Sequence, residues 1–108
     1  MGRDTLGSLE QTVLYVILRL RNEAYGIPIQ KEIASQTGKE LSFGAIYTTL
    51  ERLEAKGYVR SWKGEATASR GGRAKKFFAV TGAGQSALHD AERALTALRS
   101  GVGAWTSQ

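Results

Sequence analysis

The sequence predicts a mainly α-helical chain with a single two-stranded β-ribbon, arranged as a winged helix-turn-helix followed by one C-terminal helix. Three observations predict this fold class. A capped helical segment at residues 42–57 is followed at once by two short strand-like segments. The connector between those segments is rich in glycine and basic residues, and a heptad spacing of apolar residues begins after Thr81. We therefore expect a winged helix-turn-helix domain at residues 1–81 and a dimerisation helix with its tail at residues 82–108.

The composition excludes several classes of protein. The chain has 108 residues, of which 42% are apolar and none is cysteine. One small core is therefore expected, and disulfides, thiolate metal sites and cysteine nucleophiles are excluded. No apolar run approaches the ~20 residues needed to span a bilayer, and the first residues lack the apolar core of a signal peptide. We expect a cytoplasmic protein with no membrane partner.

The net charge of +5 is concentrated in one segment of the chain. Residues 52–76 hold eight basic and two acidic side chains, so the rest of the chain is close to neutral. A local basic face favours a polyanionic partner, although the same charges could serve only as a solubilising surface.

The first two predicted helices supply apolar faces for a core. Ser8 and Gln11 have the spacing of a capping box, and the first helix is expected to run from there to about Arg21. Pro28 fits the first turn of a second helix, and Gly38 is a typical C′ residue that ends it. Apolar residues at helical spacing are Leu9, Val13, Val16, Ile17 and Leu20 in the first helix and Ile29 and Ile33 in the second.

The third predicted helix combines an apolar face with a small, polar outer face. Ser42 is a good N-cap for it, and Gly57 is expected to end it. The predicted core face, at spacings of 3, 4 and 3, is Phe43, Ile46, Leu50 and Leu53. The residues then predicted to face outward are Ala45, Thr48, Thr49, Arg52 and Lys56. A helix N-terminus with small polar side chains can approach phosphates and base edges, but the same pattern also fits an ordinary surface helix.

Two segments rich in β-branched and aromatic residues, 58–63 and 74–80, predict the strands of the ribbon. Basic residues cluster at the far end of the connector, namely Arg70, Arg73, Lys75 and Lys76. Two orientations of the second strand remain open, because either Phe78 and Val80 or Phe77 and Ala79 can pack inward.

Thr81 is predicted to cap the last helix. Its apolar residues recur at spacings of 3, 4, 3, 4 and 3, and they are Leu88, Ala91, Leu95, Leu98, Val102 and Trp105. This heptad seam favours a partner helix, although it could also pack on the chain's own first helix. We expect pairing between two chains, because so small a domain has little surface to cover so long a stripe.

Together these elements resemble the PadR family of bacterial transcriptional regulators over roughly residues 9–90. The resemblance is carried by Tyr25-Gly26, the run from Gly44 to Leu53, Gly57-Tyr58-Val59, Gly72-Arg73, Lys75-Lys76, Phe78, Thr81 and Gly84. The length resembles the short subgroup of the family, which has a single C-terminal dimerisation helix. Family wings often have proline at Ala74, arginine at Lys75 and Lys76, and tyrosine at Phe77 and Phe78. These departures bear on operator preference and not on the docking mode.

The resemblance implies a homodimeric repressor that binds an inverted repeat in double-stranded DNA, with recognition helices about one turn, ~34 Å, apart. Predicted contacts with base edges or nearby phosphates are Ala45, Tyr47, Thr48 and Thr49. Predicted contacts with the DNA backbone are Lys39, Ser42, Arg52, Arg70, Arg73 and Lys75. For Tyr47 the alternative is a half-buried ring whose hydroxyl is held internally.

Some short members of this family resemble multidrug sensors that bind flat aromatic compounds between their C-terminal helices, often on a tryptophan. Trp105 lies on the heptad seam and could serve in this way, in an apolar pocket completed by Leu9, Val13, Leu98 and Val102. Plain packing at the dimer interface is the alternative explanation for these residues.

Two other functions fit parts of the pattern. A winged-helix protein-interaction module would use the same helix and ribbon against another protein, but the basic excess favours DNA. An enzyme is disfavoured, because His89 is the only histidine and the chain lacks a nucleophile elbow, a phosphate-binding glycine loop and metal-ligand spacing. We expect no catalytic residue, no metal and no cofactor.

Overall fold

A computed structural model describes residues 6–64 and 75–102 of the chain. The elements, in order, are α1 (Ser8–Leu20), a 3₁₀ turn (Arg21–Glu23), α2 (Gly26–Thr37), α3 (Phe43–Ala55), β1 (Val59–Lys63), β2 (Lys76–Val80) and α4 (Gly82–Ser100). The predicted fold class, a winged helix-turn-helix followed by a C-terminal helix, is confirmed. No helix in the described residues is long and apolar enough to cross a membrane.

The core draws apolar side chains from all four helices and both strands. Leu14 of α1, which the sequence pattern did not single out, is fully buried beside the predicted positions of that helix. The buried apolar residues are Leu6, Val13, Leu14, Val16, Ile17, Ala24, Ile29, Ile33, Ile46, Leu50, Leu53, Val59, Phe78 and Leu88. This single cluster holds α3 and the ribbon in fixed positions relative to each other, since both contribute to it.

The N-cap of helix α1 lies one residue earlier than predicted. The N-cap is Gly7, whose backbone N–H donates to Glu10 Oε1 over 2.8 Å. The predicted Ser8–Gln11 capping box is therefore wrong. A Glu at the third helical position can reach back to the N-cap amide, and Glu10 does so here. Gln11 instead donates its side-chain amide to the carbonyl of Leu6.

Helices α2 and α3 begin and end as predicted. Pro28 lies in the first turn of α2, and Gly38 follows its last residue with φ +75°, a left-handed conformation that glycine adopts without steric cost. Ser42 caps α3, its hydroxyl accepting a hydrogen bond from the Ala45 N–H over 3.1 Å. Gly57, with φ +81°, follows the end of α3.

The buried face of α3 differs from the predicted one at two positions. Thr49 is only 2% exposed and lies beside Ile46 and Leu53, whereas Phe43 is 41% exposed. The prediction that Thr49 faces outward is wrong, and so is the prediction that Phe43 faces the core. Burial of Thr49 is inexpensive because its hydroxyl donates to the Ala45 carbonyl, 2.9 Å away, so that no polar atom is left unpaired.

The ribbon is an antiparallel pair in which Val59 lies opposite Val80 and Ser61 opposite Phe78. Phe78 is buried, so the open choice of orientation is resolved with Phe78 and Val80 on the core side. A short extension of the pairing joins the ribbon to the turn before α2. There the Phe78 N–H donates to the Ala24 carbonyl over 2.9 Å, and Tyr25 forms a bridge with Phe77.

Helix α4 is attached firmly at its first turn. The Thr81 hydroxyl accepts from the Gly84 N–H over 3.0 Å and donates to the Gly57 carbonyl over 2.6 Å. Leu88 is buried, but the seam beyond it is open in the single chain. Leu95, Leu98 and Val102 are 56%, 71% and 60% exposed.

Candidate nucleic-acid interface

The exposed face of α3 is thin and polar near its N-terminus. With 3.6 residues per turn, the positions opposite Ile46 and Leu50 are Gly44, Thr48 and Glu51, and all three are exposed. Gly44 was not among the predicted contacts, although a helical wheel centred on the true core face would have found it. Gly44 and Thr48 leave little side-chain bulk in the way, so the helix backbone can approach a surface closely.

Ser42 and Ala45 flank this thin surface. Ser42 is exposed, and Ala45 is partly exposed. The Ser42 hydroxyl accepts a hydrogen bond from one of the first backbone N–H groups of α3. The other N–H groups of the first turn have no acceptor inside the helix, as in every α-helix. They carry the positive end of the helix dipole, which favours an anion at this end of α3.

Tyr47 is partly buried and joins the interface to the core. Its ring centroid lies 6.4 Å from that of Phe78 and 6.4 Å from that of Phe43. A methyl group added at Gly26 would overlap the Tyr47 hydroxyl, so α2 begins directly against this ring. The half-buried alternative for Tyr47 therefore agrees with its position.

Several cations lie at the two ends of α3 and along the ribbon. Lys39, in the loop before α3, and Arg52, in its last turns, are exposed. Lys75 is partly exposed and places its Nζ 4.4 Å from the centre of the Tyr25 ring, a cation–π contact that positions this side chain.

Two further lysines face each other at the end of the ribbon that leads into its connector. Lys63 and Lys76 are directly opposed in the strand register, and both are exposed. Neither was a predicted DNA contact. Like charges placed directly opposite each other on a sheet are unfavourable, and an anion bound near both would relieve the repulsion. The pairing is invisible in the sequence because it depends on the register of the two strands.

Lys56 does not belong to this basic surface. Its Nζ lies 2.9 Å and 3.1 Å from the two carboxylate oxygens of Glu10, which is buried. Burial by itself raises the pKa of Glu10, but the hydrogen bond from Gly7 and the ion pair with Lys56 outweigh it and hold that pKa below its usual value. The prediction that Lys56 faces outward is therefore wrong.

Some predicted site residues lie outside the described residues, namely Arg70 and Arg73 in the ribbon connector and Trp105 in the C-terminal tail. The predicted effector pocket is also altered. Val13 is fully buried in the core and cannot line an open pocket, so its assignment there is wrong. Leu9 packs partly buried against the core, whereas Leu98 and Val102 line an open groove on α4 together with Leu95 and Arg99.

The predicted seam on α4 divides into two parts. Leu88 and, in part, Ala91 pack on their own chain, so the intramolecular alternative holds for the first turns of α4. Leu95, Leu98 and Val102 remain exposed along one side of the helix. In the described part of the chain, no His, Asp and Glu side chains are grouped so that they could hold a metal ion.

Comparisons with known proteins agree with this geometry. The model of the family described as "Transcriptional regulator PadR-like family" matches residues 13–90. The transcriptional regulator Rv3488 of Mycobacterium tuberculosis is 38% identical over 77 residues, which cover 71% of this chain and 67% of that protein.

Solved structures show the same likeness. A PadR family transcriptional regulator from Eggerthella lenta is 28% identical with a TM-score of 0.68, over 88% of this chain and 82% of that one. A PadR-like transcription factor from Bacteroides fragilis is 26% identical with a TM-score of 0.71, over 87% and 85%.

Proposed function

This chain belongs to the PadR-like family of transcriptional regulators, a family that is not enzymatic, and from that premise we propose that it represses transcription as a homodimer bound to an inverted repeat. The predicted family, and the prediction that the chain is not an enzyme, are thereby confirmed. In this proposal residues 1–81 bind DNA and residues 82–108 pair the two chains.

The observation that carries the proposal is the exposed N-terminal half of α3. Gly44 and Thr48 form its outermost surface, Ser42 caps it, and Lys39 is exposed next to its start. A helix of this kind fits the major groove, where its first turns meet base edges and its flanking groups meet phosphates. We assign base-edge contacts to Ala45 and Thr48, with Tyr47 at the margin, and exclude Thr49 because it is buried.

The ribbon supplies the second set of contacts. Lys63, Lys75 and Lys76 lie at the end of the ribbon where the connector that contains Arg70 and Arg73 begins and ends. Lysine attracts phosphate as a point charge and lacks the bidentate geometry of arginine, so these lysines suit contact with the DNA backbone. Arg52 and Lys39 complete the proposed backbone contacts from the helical side.

The exposed seam of α4 supports the dimer. Leu95, Leu98 and Val102 recur at spacings of 3 and 4, so a second copy of the helix can cover all three. A symmetric pair of chains would present two copies of α3, as an inverted repeat requires. Trp105 extends the same spacing.

The test measures binding to a duplex recovered with the protein from a random DNA library. Thr48→Asp places a negative charge at the centre of the proposed helix contact. We expect about a hundredfold loss of affinity, because the carboxylate would lie against the base edges between the two rows of negatively charged phosphates. Ala97→Asp adds the same charge to an exposed side of α4 and is expected to bind as the wild type does.

The salt dependence separates DNA binding from the protein-interaction alternative. Wild-type affinity should fall steeply as salt rises, with a logarithmic slope of about −0.9 for each phosphate contacted. Equal binding by Thr48→Asp and the wild type, or an affinity insensitive to salt, would contradict the proposed function and favour a protein-interaction module.

We also propose that a flat aromatic compound binds between the paired α4 helices and releases the DNA. The open groove of Leu95, Leu98, Arg99 and Val102 favours this site, because it is apolar and adjoins Trp105 in the sequence. In a Trp62→Phe variant, Trp105 is the remaining tryptophan, and its fluorescence should be quenched by planar cationic dyes. Unchanged fluorescence across a panel of such dyes would rule out this effector site.

A further inference from the structure

Phe43 is an apolar side chain exposed at the N-terminus of α3. It is the first residue of α3, between Ser42 and Gly44, and it is 41% exposed. The exposed residues next to it on this helix and its cap, Ser42, Gly44 and Thr48, are small or polar. An exposed aromatic ring at the end of a helix that approaches another molecule is a candidate for direct contact.

The Phe43 ring is held in place by a chain of aromatic contacts that reaches the core. It packs against Tyr47 with 6.4 Å between the ring centroids and 38° between the planes. Tyr47 packs in turn against the buried Phe78, at 6.4 Å and 55°. Because Gly26 lies against the Tyr47 hydroxyl, Tyr47 has little room to move. Phe43 is therefore supported from behind and keeps its outer side for contact.

The chemistry of this side chain limits what it can recognise. A phenyl ring neither donates nor accepts a conventional hydrogen bond, so it cannot use the polar pattern of the base edges. The apolar group that the major groove presents is the C5-methyl of thymine, and 5-methylcytosine carries a methyl group at the same place.

We propose that Phe43 recognises a pyrimidine 5-methyl group in the major groove, at one position in each half of the DNA site. This proposal rests on the proposed function, since it needs α3 to enter the major groove. It adds a specificity contact at a residue that the sequence pattern had assigned to the core.

The experiment uses a duplex recovered from a random DNA library by the wild-type protein. Each thymidine is replaced in turn by deoxyuridine, which removes only the methyl group. We expect one position in each half-site at which affinity falls about fourfold per methyl lost, the effect of exposing one buried methyl-sized group. At a cytidine in the same place, 5-methylation should raise affinity by a similar factor, which distinguishes the two sources of the methyl group.

Variants connect that position to Phe43. Phe43→Ala should bind the thymidine and deoxyuridine duplexes equally, whereas Phe43→Leu, which keeps an apolar side chain, should retain part of the difference. Thr48→Ser is the matched control, because it removes an exposed methyl group from the same helix and keeps the hydroxyl. Circular dichroism and thermal melting establish that each variant is folded.

The possible outcomes are distinct. If the wild type binds its selected duplex specifically and no deoxyuridine substitution weakens it by twofold, Phe43 does not recognise a methyl group. If Phe43→Ala keeps the full sensitivity and Thr48→Ser loses it, Thr48 makes the contact and the proposal is wrong. A wild-type protein that selects no DNA sequence at all would overturn the proposed function and this proposal with it.

Discussion

Glu10 and Lys56 form an ion pair that joins the start of α1 to the end of α3. Both side chains are largely shielded from solvent, and the Glu10 carboxylate also accepts the N-cap hydrogen bond from Gly7. A charge buried with a partner is costly to leave alone, so each member of the pair depends on the other. The pair fixes the far end of α3 without using any side chain of the exposed surface.

The lowered pKa of Glu10 predicts a loss of stability in acid. Burial raises this pKa, but the contacts with Gly7 and Lys56 lower it by more. As the pH falls, the folded protein therefore keeps the Glu10 carboxylate charged at pH values at which the unfolded chain already begins to bind a proton. The stabilisation is therefore full above the unfolded pKa of about 4.3 and is lost as the pH falls below that value.

Glu10→Gln should remove this part of the acid sensitivity. We expect the variant to be less stable by about 2 kcal/mol at neutral pH, because the Lys56 ammonium is left without its partner. The difference between variant and wild type should shrink as the pH falls below the unfolded pKa of about 4.3. Urea unfolding at several pH values measures both quantities, and a difference that stays constant as the pH falls through the acid range would contradict the assignment.

Gly84 and Gly82, two residues apart in the first turn of α4, provide a matched pair for a second prediction. A methyl group at Gly84 would overlap the backbone carbonyl of Tyr58, whereas one at Gly82 would meet nothing within 4 Å. We expect Gly84→Ala to destabilise the protein by about 2 kcal/mol and Gly82→Ala to be neutral or slightly stabilising. Thermal unfolding compares the two, and similar effects would show that α4 can shift away from Tyr58.

The ribbon is the element in which stability and binding are expected to oppose each other. Lys63 and Lys76 face each other across the strands, which is unfavourable for the isolated protein and favourable when a phosphate lies between them. The outer side of the ribbon is reinforced by Trp62 stacked on Phe77, with 5.9 Å between ring centroids, and by Tyr25 at 5.3 Å from Phe77. The lysines are thus carried on a stiffened strand pair.

Lys63→Glu should therefore stabilise the free protein and weaken its binding to DNA. The new carboxylate opposite Lys76 replaces a repulsive cross-strand pair by an attractive one, worth about 0.5 kcal/mol. The logarithmic salt slope of DNA binding should become less steep by about 1, the contribution of one lost phosphate contact. The reciprocal change Lys76→Glu should have the same two effects, and a loss of stability in both variants would contradict the opposed register.

Helix α3 illustrates what could be predicted from the sequence at the scale of an element. Its cap at Ser42, its end before Gly57 and three of its four buried positions follow from spacing and residue type alone. The exchange of Phe43 for Thr49 could not be predicted, because spacings of 3 and 4 fit either residue and hydrophobicity favours the phenylalanine. Only the packing in three dimensions decides between them. It leaves Phe43 41% exposed and buries Thr49, whose hydroxyl donates to the Ala45 carbonyl.

At the scale of the whole molecule, the last part of α4 extends beyond the core. The described residues span 56 Å in their longest direction and 21 Å in their shortest. Which part of the heptad seam a chain covers by itself could not be predicted, because the sequence pattern is continuous from Leu88 to Trp105. The structure divides it after Ala91, where no other element of the described chain covers the seam.

Leu98→Asp should therefore convert the proposed dimer into a monomer. The carboxylate would be buried without a partner at the paired seam, a cost of several kcal/mol that the seam alone cannot offset. Ala97→Asp carries the same charge one residue earlier, away from the seam, and should remain dimeric. Sedimentation equilibrium gives the mass of each, and DNA affinity should fall only for Leu98→Asp; a dimeric Leu98→Asp would place the interface elsewhere.

The attachment of α4 has a mechanical consequence. The Thr81 hydroxyl donates to the carbonyl of Gly57, just after the end of α3, and Gly84 packs against the carbonyl of Tyr58. The first turn of α4 is therefore attached directly to the end of α3. In the proposed dimer each α4 therefore acts as a rigid lever arm for the α3 of its own chain. A change of a few degrees in the angle at which the two arms cross would alter the separation of the paired α3 helices. The crossing angle of the two α4 helices would then set the spacing between the two halves of the DNA site that the dimer can bind.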